Sequence, residues 1–143
     1  MYIKRRFSPA SDDHTQALAL RFQILREPLG LSFSQSDLEK DLNDLHFGTF
    51  DGTTLVACLT LTPEPDQTIK MRQVAVSEAL QGQGVGGDLV RFAELEAKTL
   101  GFERMFCHAR ETAVSFYKKL GYAVVGKPFI EVTLPHRKME KSL

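Results

Sequence analysis

Between a strand-like segment, Ile69 to Val76, and an amphipathic helical segment, Asp88 to Leu100, lies the run Gln81-Gly82-Gln83-Gly84-Val85-Gly86-Gly87. Glycines let successive backbone N–H groups turn toward one point without side-chain obstruction, and the helix that follows adds the positive end of its dipole. The chemistry on offer is anion binding, with a diphosphate as the natural occupant. Three patterns compete for it. A Walker loop needs Gly-Lys-Ser/Thr, which the chain lacks, so a nucleoside triphosphatase is disfavoured. Gly82, Gly84 and Gly87 can be read as a dinucleotide fingerprint, but that motif follows the first strand of a repeating strand-helix-strand series, and here several strands come first. The third pattern, Gln-x-x-Gly-x-Gly, is met by Gln81, Gly84 and Gly86. A glycine-rich helix-entry turn without a ligand is the plain alternative.

A second group of residues follows the helix: Ala113-Val114-Ser115-Phe116-Tyr117-Lys118-Lys119-Leu120-Gly121-Tyr122. With the glycine run, in this order and at this separation, it resembles the paired signatures of the GNAT superfamily of acyl-CoA-dependent N-acyltransferases. The motifs are strong from about Lys70 to Tyr122 and weaker beyond. The ending Phe129-Ile130-Glu131, Pro135-His136 and Met139 is similar to the ElaA-like branch, and so in kind are Arg21 and the acidic stretch Asp37 to Asp44.

The resemblance implies acetyl-CoA as cosubstrate, no metal, and an amine of a small molecule or peptide as acceptor. Amides of Gly82, Gln83, Gly84, Val85, Gly86 and Gly87, with Gln81 beside them, would receive the diphosphate, and Ser115 and Tyr117 of the second signature would also contact the cosubstrate. The backbone of Val74, Ala75 and Val76 would pair with the pantetheine arm. Tyr117 would protonate the departing thiolate; a phenol with an ordinary pKa near 10 carries its proton at neutral pH. Its plain alternative is a packed aromatic on a helix. Some members place a carboxylate on the strand before the glycine run, where this chain has Lys70 and Arg72. Glu131 and His136 are therefore the candidate bases, with His46 and His108 behind them. A strand-surface carboxylate and a structural histidine are the alternatives. Asp37, Glu39, Asp41 and Asp44 could draw a cationic substrate or simply form a solvated face. Arg26 and Glu27 are pocket residues by location alone.

These residues need a scaffold. At 143 residues and 43% hydrophobic content, the chain 1–143 is one domain's worth and can bury a substantial core. Its formal charge is zero and no basic stripe appears, which gives no electrostatic case for nucleic acid or a membrane surface. No apolar run approaches a membrane span and no signal-peptide layout opens the chain, so a cytoplasmic protein is expected, with a homodimer left open. Cys58 and Cys107 fall in apolar strand-like segments without metal-ligand spacing and read as buried thiols.

Periodicity predicts strand, two helices, three strands, helix, strand, helix and two final strands. Residues 2 to 7 read as a strand; Ser11 caps a helix that Pro28 ends near Glu27; Ser36 to Leu42 reads as a second helix. Asp51-Gly52 marks a hairpin. The last strands are expected near Tyr122 to Val125 and Ile130 to Leu134. The pattern is α/β. The resemblance adds a mixed, mostly antiparallel sheet of about seven strands with about four helices, splayed into a V between the fourth and fifth strands. A non-catalytic acyl-CoA-binding module and, more distantly, a dinucleotide-binding oxidoreductase domain are the rivals.

Overall fold

Gly52 turns the chain at φ +62°, as the Asp-Gly pair requires, and joins Leu45–Asp51 (β2) to Thr54–Glu64 (β3). Around this hairpin the computed structural model, which describes residues 2–143, assembles a seven-stranded sheet. The other strands are Tyr2–Phe7 (β1), Thr68–Val76 (β4), Arg104–Arg110 (β5), Ala123–Glu131 (β6) and Leu134–Ser142 (β7). Their order is β1-β2-β3-β4-β5-β7-β6, antiparallel throughout except for the parallel β4–β5 pair.

The helices are Asp12–Arg21 (α1), Gln35–Asp41 (α2), Val85–Thr99 (α3) and Val114–Lys119 (α4). Ser11 caps α1 by accepting from the His14 N–H. A π-helical turn, Phe22–Arg26, follows, and a 3-10 turn containing Pro28 ends the helical run at Gly30. Ser34 and Asp37 form a reciprocal capping box on α2.

Ile69, Met71, Met105, Cys107 and Ala109 pack with α3 in the larger core, while Ala17, Leu20, Cys58 and Ala75 form a smaller one beneath α1. Period-2 geometry therefore sends Lys70, Arg72, His108 and Arg110 to the sheet face opposite α3.

Two features open the sheet. The β4–β5 ladder runs from Thr68↔Arg104 to Met71↔Cys107 and stops, although both strands continue. Directly beyond it, Gln73 and Val74 together oppose Leu59 of β3, a β-bulge in which Gln73 has φ +57°. The bulge bends β4 away from β5 and leaves the expected V between the fourth and fifth strands.

Two boundaries differ from the sequence expectation. The third helix begins at Val85 rather than Asp88, because the Asp88 N–H already bonds to the Gly84 carbonyl at 3.0 Å; Val85, Gly86 and Gly87 are its first turn. The chain end is one long hairpin, not short strands with a trailing segment. β6 continues through a register shift between Val125 and Phe129, where Gly126 and Pro128 interrupt its pattern, and the turn falls at Val132-Thr133.

Candidate active site

Where β4 and β5 part, a cavity of about 570 Å³ opens, within the size range of small-molecule sites. Its walls come from β4, β5, the π-helical turn after α1, Lys40 of α2, the 3-10 turn Glu111–Ala113 with Tyr117 of α4, and the tip of the β6–β7 hairpin.

Gln81, at the start of the glycine run, lines one end of the cavity, and the glycines follow just outside its wall. Gly82 and Gly84 have φ +79° and +84°, and a Cβ on either would meet nothing within 4 Å. Glycine is needed there for the sign of φ, and the space before the helix is clear. The amides of Val85, Gly86 and Gly87 precede the first intrahelical bond, so they belong to the unsatisfied N-terminal turn of a helix of 15 residues. Gly86 has a separate reason to be glycine: its Cβ would lie 3.1 Å from Val76 Cγ2, so close packing of α3 on β4 depends on it. Gln81 donates to the Val76 carbonyl at 3.1 Å and Gln83 to the Ala79 carbonyl at 3.1 Å, so both side chains fold the loop back on itself. Of the three β4 residues expected beside the pantetheine arm, Val74 lines the cavity and Ala75 packs under α1 against Cys58. Val76 holds α3 at Gly86. Ser115 lies on the exposed face of α4 and outside the cavity wall.

Tyr117 forms part of the wall and is otherwise buried, 7% exposed. Burial pushes its phenol well above the ordinary value. Only six residues long, α4 depends on tertiary ties for its position. Lys141 supplies them, donating to the Leu120 carbonyl at 2.7 Å and to Glu94 Oε1 at 3.0 Å, while the Tyr122 hydroxyl donates to Glu94 Oε2 at 2.7 Å. Cys107 also lines the cavity, and burial pushes its thiol up to about 12, which leaves it protonated and non-nucleophilic at neutral pH.

At the opposite wall the hairpin tip delivers Glu131. Its Oε1 accepts from His108 Nδ1 at 3.0 Å, and its Oε2 lies 3.8 Å from His136 Nε2. His136 Nδ1 donates to the Leu134 carbonyl at 2.8 Å, which places the proton of the neutral ring on Nδ1 and leaves Nε2 as an acceptor. Phe129 stacks on His136 and meets His108 edge-on. The hairpin is strained: Val132 and Thr133 sit at φ +47° and +65°, a region unfavourable to β-branched residues. The two candidate bases, Glu131 and His136, thus lie on the same wall of the cavity. His108, placed behind them from the sequence, proves to be in direct contact with Glu131. Its spacing was the available signal, since it alternates with Cys107 and Ala109 and so faces away from the core.

His46 and the acidic stretch lie elsewhere. His46 is buried and donates from Nε2 to the Asp41 carbonyl at 2.8 Å; burial pulls its pKa down. Asp41 is fully buried, accepting from His14 Nε2 at 2.8 Å and from Arg21 at 2.9 Å and 3.3 Å. Burial raises the Asp41 carboxyl, but the bonds from Arg21 and His14 outweigh it and hold it below its usual range. His14, Asp41 and His46 offer metal-ligand atoms within 4.8 Å of one another, yet the Arg21 guanidinium already occupies the cation's place on the carboxylate. Asp44 pairs with Arg72 at 2.9 Å and Asp37 closes the α2 capping box. None of Asp37, Glu39, Asp41 or Asp44 lines the cavity, so the acidic stretch is neither a cation funnel nor a uniformly solvated face. Among the described residues, no helix is long and apolar enough to cross a membrane.

Known proteins are similar to this chain in sequence and fold. Residues 12–122 match the family described as "Acetyltransferase (GNAT) family". An uncharacterised N-acetyltransferase of Bacillus subtilis, YitI, is 25% identical over 116 residues, covering 77% of this chain and 78% of that one. A crystal structure of an N-acetyltransferase from Lactobacillus plantarum superposes with a TM-score of 0.86 at 28% identity, over 100% of this chain and 97% of that one. Escherichia coli ElaA has the same fold, with a TM-score of 0.85 at 21% identity over 99% of each chain. With a match spanning most of its length, the chain belongs to the GNAT acetyltransferase family.

Proposed function

We propose that the protein transfers an acetyl group from acetyl-CoA to a primary amine by direct attack in a ternary complex. The observation that carries this is the continuity of one cavity: it joins the parted edge of β4 to Tyr117 on one wall and to the Glu131–His108 pair on the other. The residues fit CoA. The open amides of the α3 start suit its diphosphate, and the unpaired edge of β4 beyond Met71 suits an amide-bearing arm that pairs like a strand.

In the reaction, the neutral amine nitrogen attacks the thioester carbonyl carbon, the C–S bond breaks, and N-acetyl product and free CoA thiol leave. A lysine-like amine must first lose a proton, which at pH 7 costs roughly 4 to 5 kcal/mol. Glu131 accepts that proton. His108 fixes the carboxylate from β5, and the free Nε2 of His136 offers a second acceptor 3.8 Å away. The lining cations Arg26, Lys40, Lys70 and Arg110 disfavour the ammonium form and so assist deprotonation. Tyr117 protonates the departing sulfur. Burial raises its phenol, and the same burial raises a thiolate expelled beside it, so the two remain matched.

The Glu131–His108 pair supplies the base whose absence from β4 would favour a non-catalytic acyl-CoA-binding module. Calorimetric titration tests the cosubstrate. CoA and acetyl-CoA should bind and NAD should not; binding of NAD alone would return the glycine run to a dinucleotide role.

A further inference from the structure

Five cationic side chains line the cavity, Arg26, Lys40, Lys70, Arg72 and Arg110, and Glu131 is its one carboxylate. Not all of the cations are available. Arg72 is neutralised by Asp44 at 2.9 Å and also bonds to Thr62. Lys40 is exposed on α2, and Lys70 stands beside Phe106. Arg26 stands over the Phe33 ring, 5.1 Å from its centroid, a contact that leaves its charge without a counter-ion. Arg110 Nη2 donates to the Leu25 carbonyl at 2.9 Å, which brings it to the residue next to Arg26. Neither guanidinium has an ion-pair partner among the described residues. Asp37, which feels the charge of Arg26, is committed to the Ser34 cap.

The Arg26–Arg110 pair is half-buried on the wall of one cavity without a carboxylate partner, and burial first, then the charge of Arg26, pulls the Arg110 pKa down. Such a pair is stabilised when an anion enters between them, and planar guanidinium forks suit a carboxylate or a phosphate. The CoA diphosphate is not the natural occupant. Arg110 alternates with Ala109 and Cys107, which pack on the α3 side, so its side chain leaves the sheet on the opposite face from the glycine run. Arg110 is instead the direct cross-strand neighbour of His136, on the side of the proposed base.

We infer that the acceptor amine carries an anionic group of its own, in the first place a carboxylate as in an amino acid, seated between Arg26 and Arg110 with its amine toward Glu131. This rests on the acetyl-transfer reading for the identity of the amine as acceptor, while the anion subsite can be measured without turnover.

The test is calorimetric binding to the protein saturated with CoA. The probes are alanine and phenylalanine, each beside its methyl ester, glutamate beside its dimethyl ester, phosphoethanolamine beside ethanolamine, and spermidine. At least one anionic probe should bind about tenfold or more tightly than its neutral partner, the scale of a charge-assisted bond. Preference within the amino-acid pairs assigns a carboxylate, and preference confined to phosphoethanolamine assigns a phosphate. Arg26→Met and Arg110→Met should each abolish the preference and leave the Kd for CoA unchanged. Arg26→Met serves where loss of the Leu25 contact unfolds the other variant. Neutral partners or spermidine binding as tightly as every anion would overturn the inference, as would variants that lose CoA and acceptor together. Thiol release on the same panel separates the two claims. An anion preference without turnover removes acetyl transfer and keeps the subsite; turnover of esters and spermidine without anion preference does the reverse.

Discussion

His108 Nδ1 donates to Glu131 Oε1 across 3.0 Å, tying the middle of β5 to the tip of the β6–β7 hairpin. The bond fixes a carboxylate whose side chain stays 42% exposed at the hairpin end, on the cavity wall. Glu131→Gln should lower kcat by about 10²- to 10⁴-fold, the usual contribution of a positioned base, with the CoA Kd unchanged. His108→Ala should lower kcat less and His108→Asn should restore part of it. Steady-state kinetics decide; an unimpaired Glu131→Gln variant removes the carboxylate from the mechanism.

Tyr117→Phe should retain CoA binding and lose turnover by at least about tenfold, since only the phenolic proton is removed. Because burial pushes the Tyr117 phenol above its ordinary 10, the wild-type kcat profile should show no loss from tyrosine ionisation below pH 10. A variant with full turnover would return Tyr117 to packing alone.

The glycines predict two distinct failures. Gly84→Ala meets no neighbour but must hold φ +84°, at a cost on the order of 1 kcal/mol, so CoA affinity should fall modestly. Gly86→Val drives carbon into Val76, already 3.1 Å from a mere Cβ, and should separate α3 from β4 and lose CoA binding altogether. Calorimetry with CoA ranks the two.

The buried Arg21–Asp41 pair sets stability. Asp41→Asn strands a buried guanidinium and should cost about 3–5 kcal/mol in denaturant unfolding. Acid should also destabilise the fold, in two stages. His46 titrates below its ordinary 6.5 when folded, so the unfolded chain takes up its proton first, and stability begins to fall as pH drops through 6.5. Asp41 is held below its ordinary 3.8, so the stability it contributes is present above that value and is lost as pH falls through its folded pKa. Tm should therefore decline from pH 7 to pH 5, and His46→Gln should flatten that part of the curve.

Val132 and Thr133 occupy positive φ without glycine or asparagine. Replacing them with Asn-Gly, the pair this turn favours, should raise stability by about 1–2 kcal/mol, read as Tm. A fall in Tm would show that the two side chains contribute more than their backbone strain costs.

Element types and order follow from periodicity and punctuation: Ser11, Asp51-Gly52, Gly101 and Gly121 mark ends that the structure keeps. The β4 bulge was also written in the chain, since the core-facing residues shift from Ile69 and Met71 to Val74 and Val76, a change of parity that only an extra residue explains. The fused β6 strand was harder to see, because Gly126 and Pro128 punctuate it as a turn would, and only pairing with β7 overrides them. Within the site, Glu131 and His136 were recognisable from the family ending. Arg26 was placed in the pocket by location alone and Arg110 not at all, because the two are far apart in the chain and Arg110 reaches the segment of Arg26 only through the Leu25 carbonyl. Asp41 misled for a related reason: its partner Arg21 lies one helix away, which turns an apparently solvated acid into a buried one.

Amine-dependent release of CoA thiol from acetyl-CoA, with the acetylated product identified by mass spectrometry, tests the central claim most directly. Wild-type protein should release one thiol per N-acetyl product formed, and Glu131→Gln should suppress both together. Thiol release that proceeds equally without amine, or no release with any amine while acetyl-CoA remains bound, would contradict it.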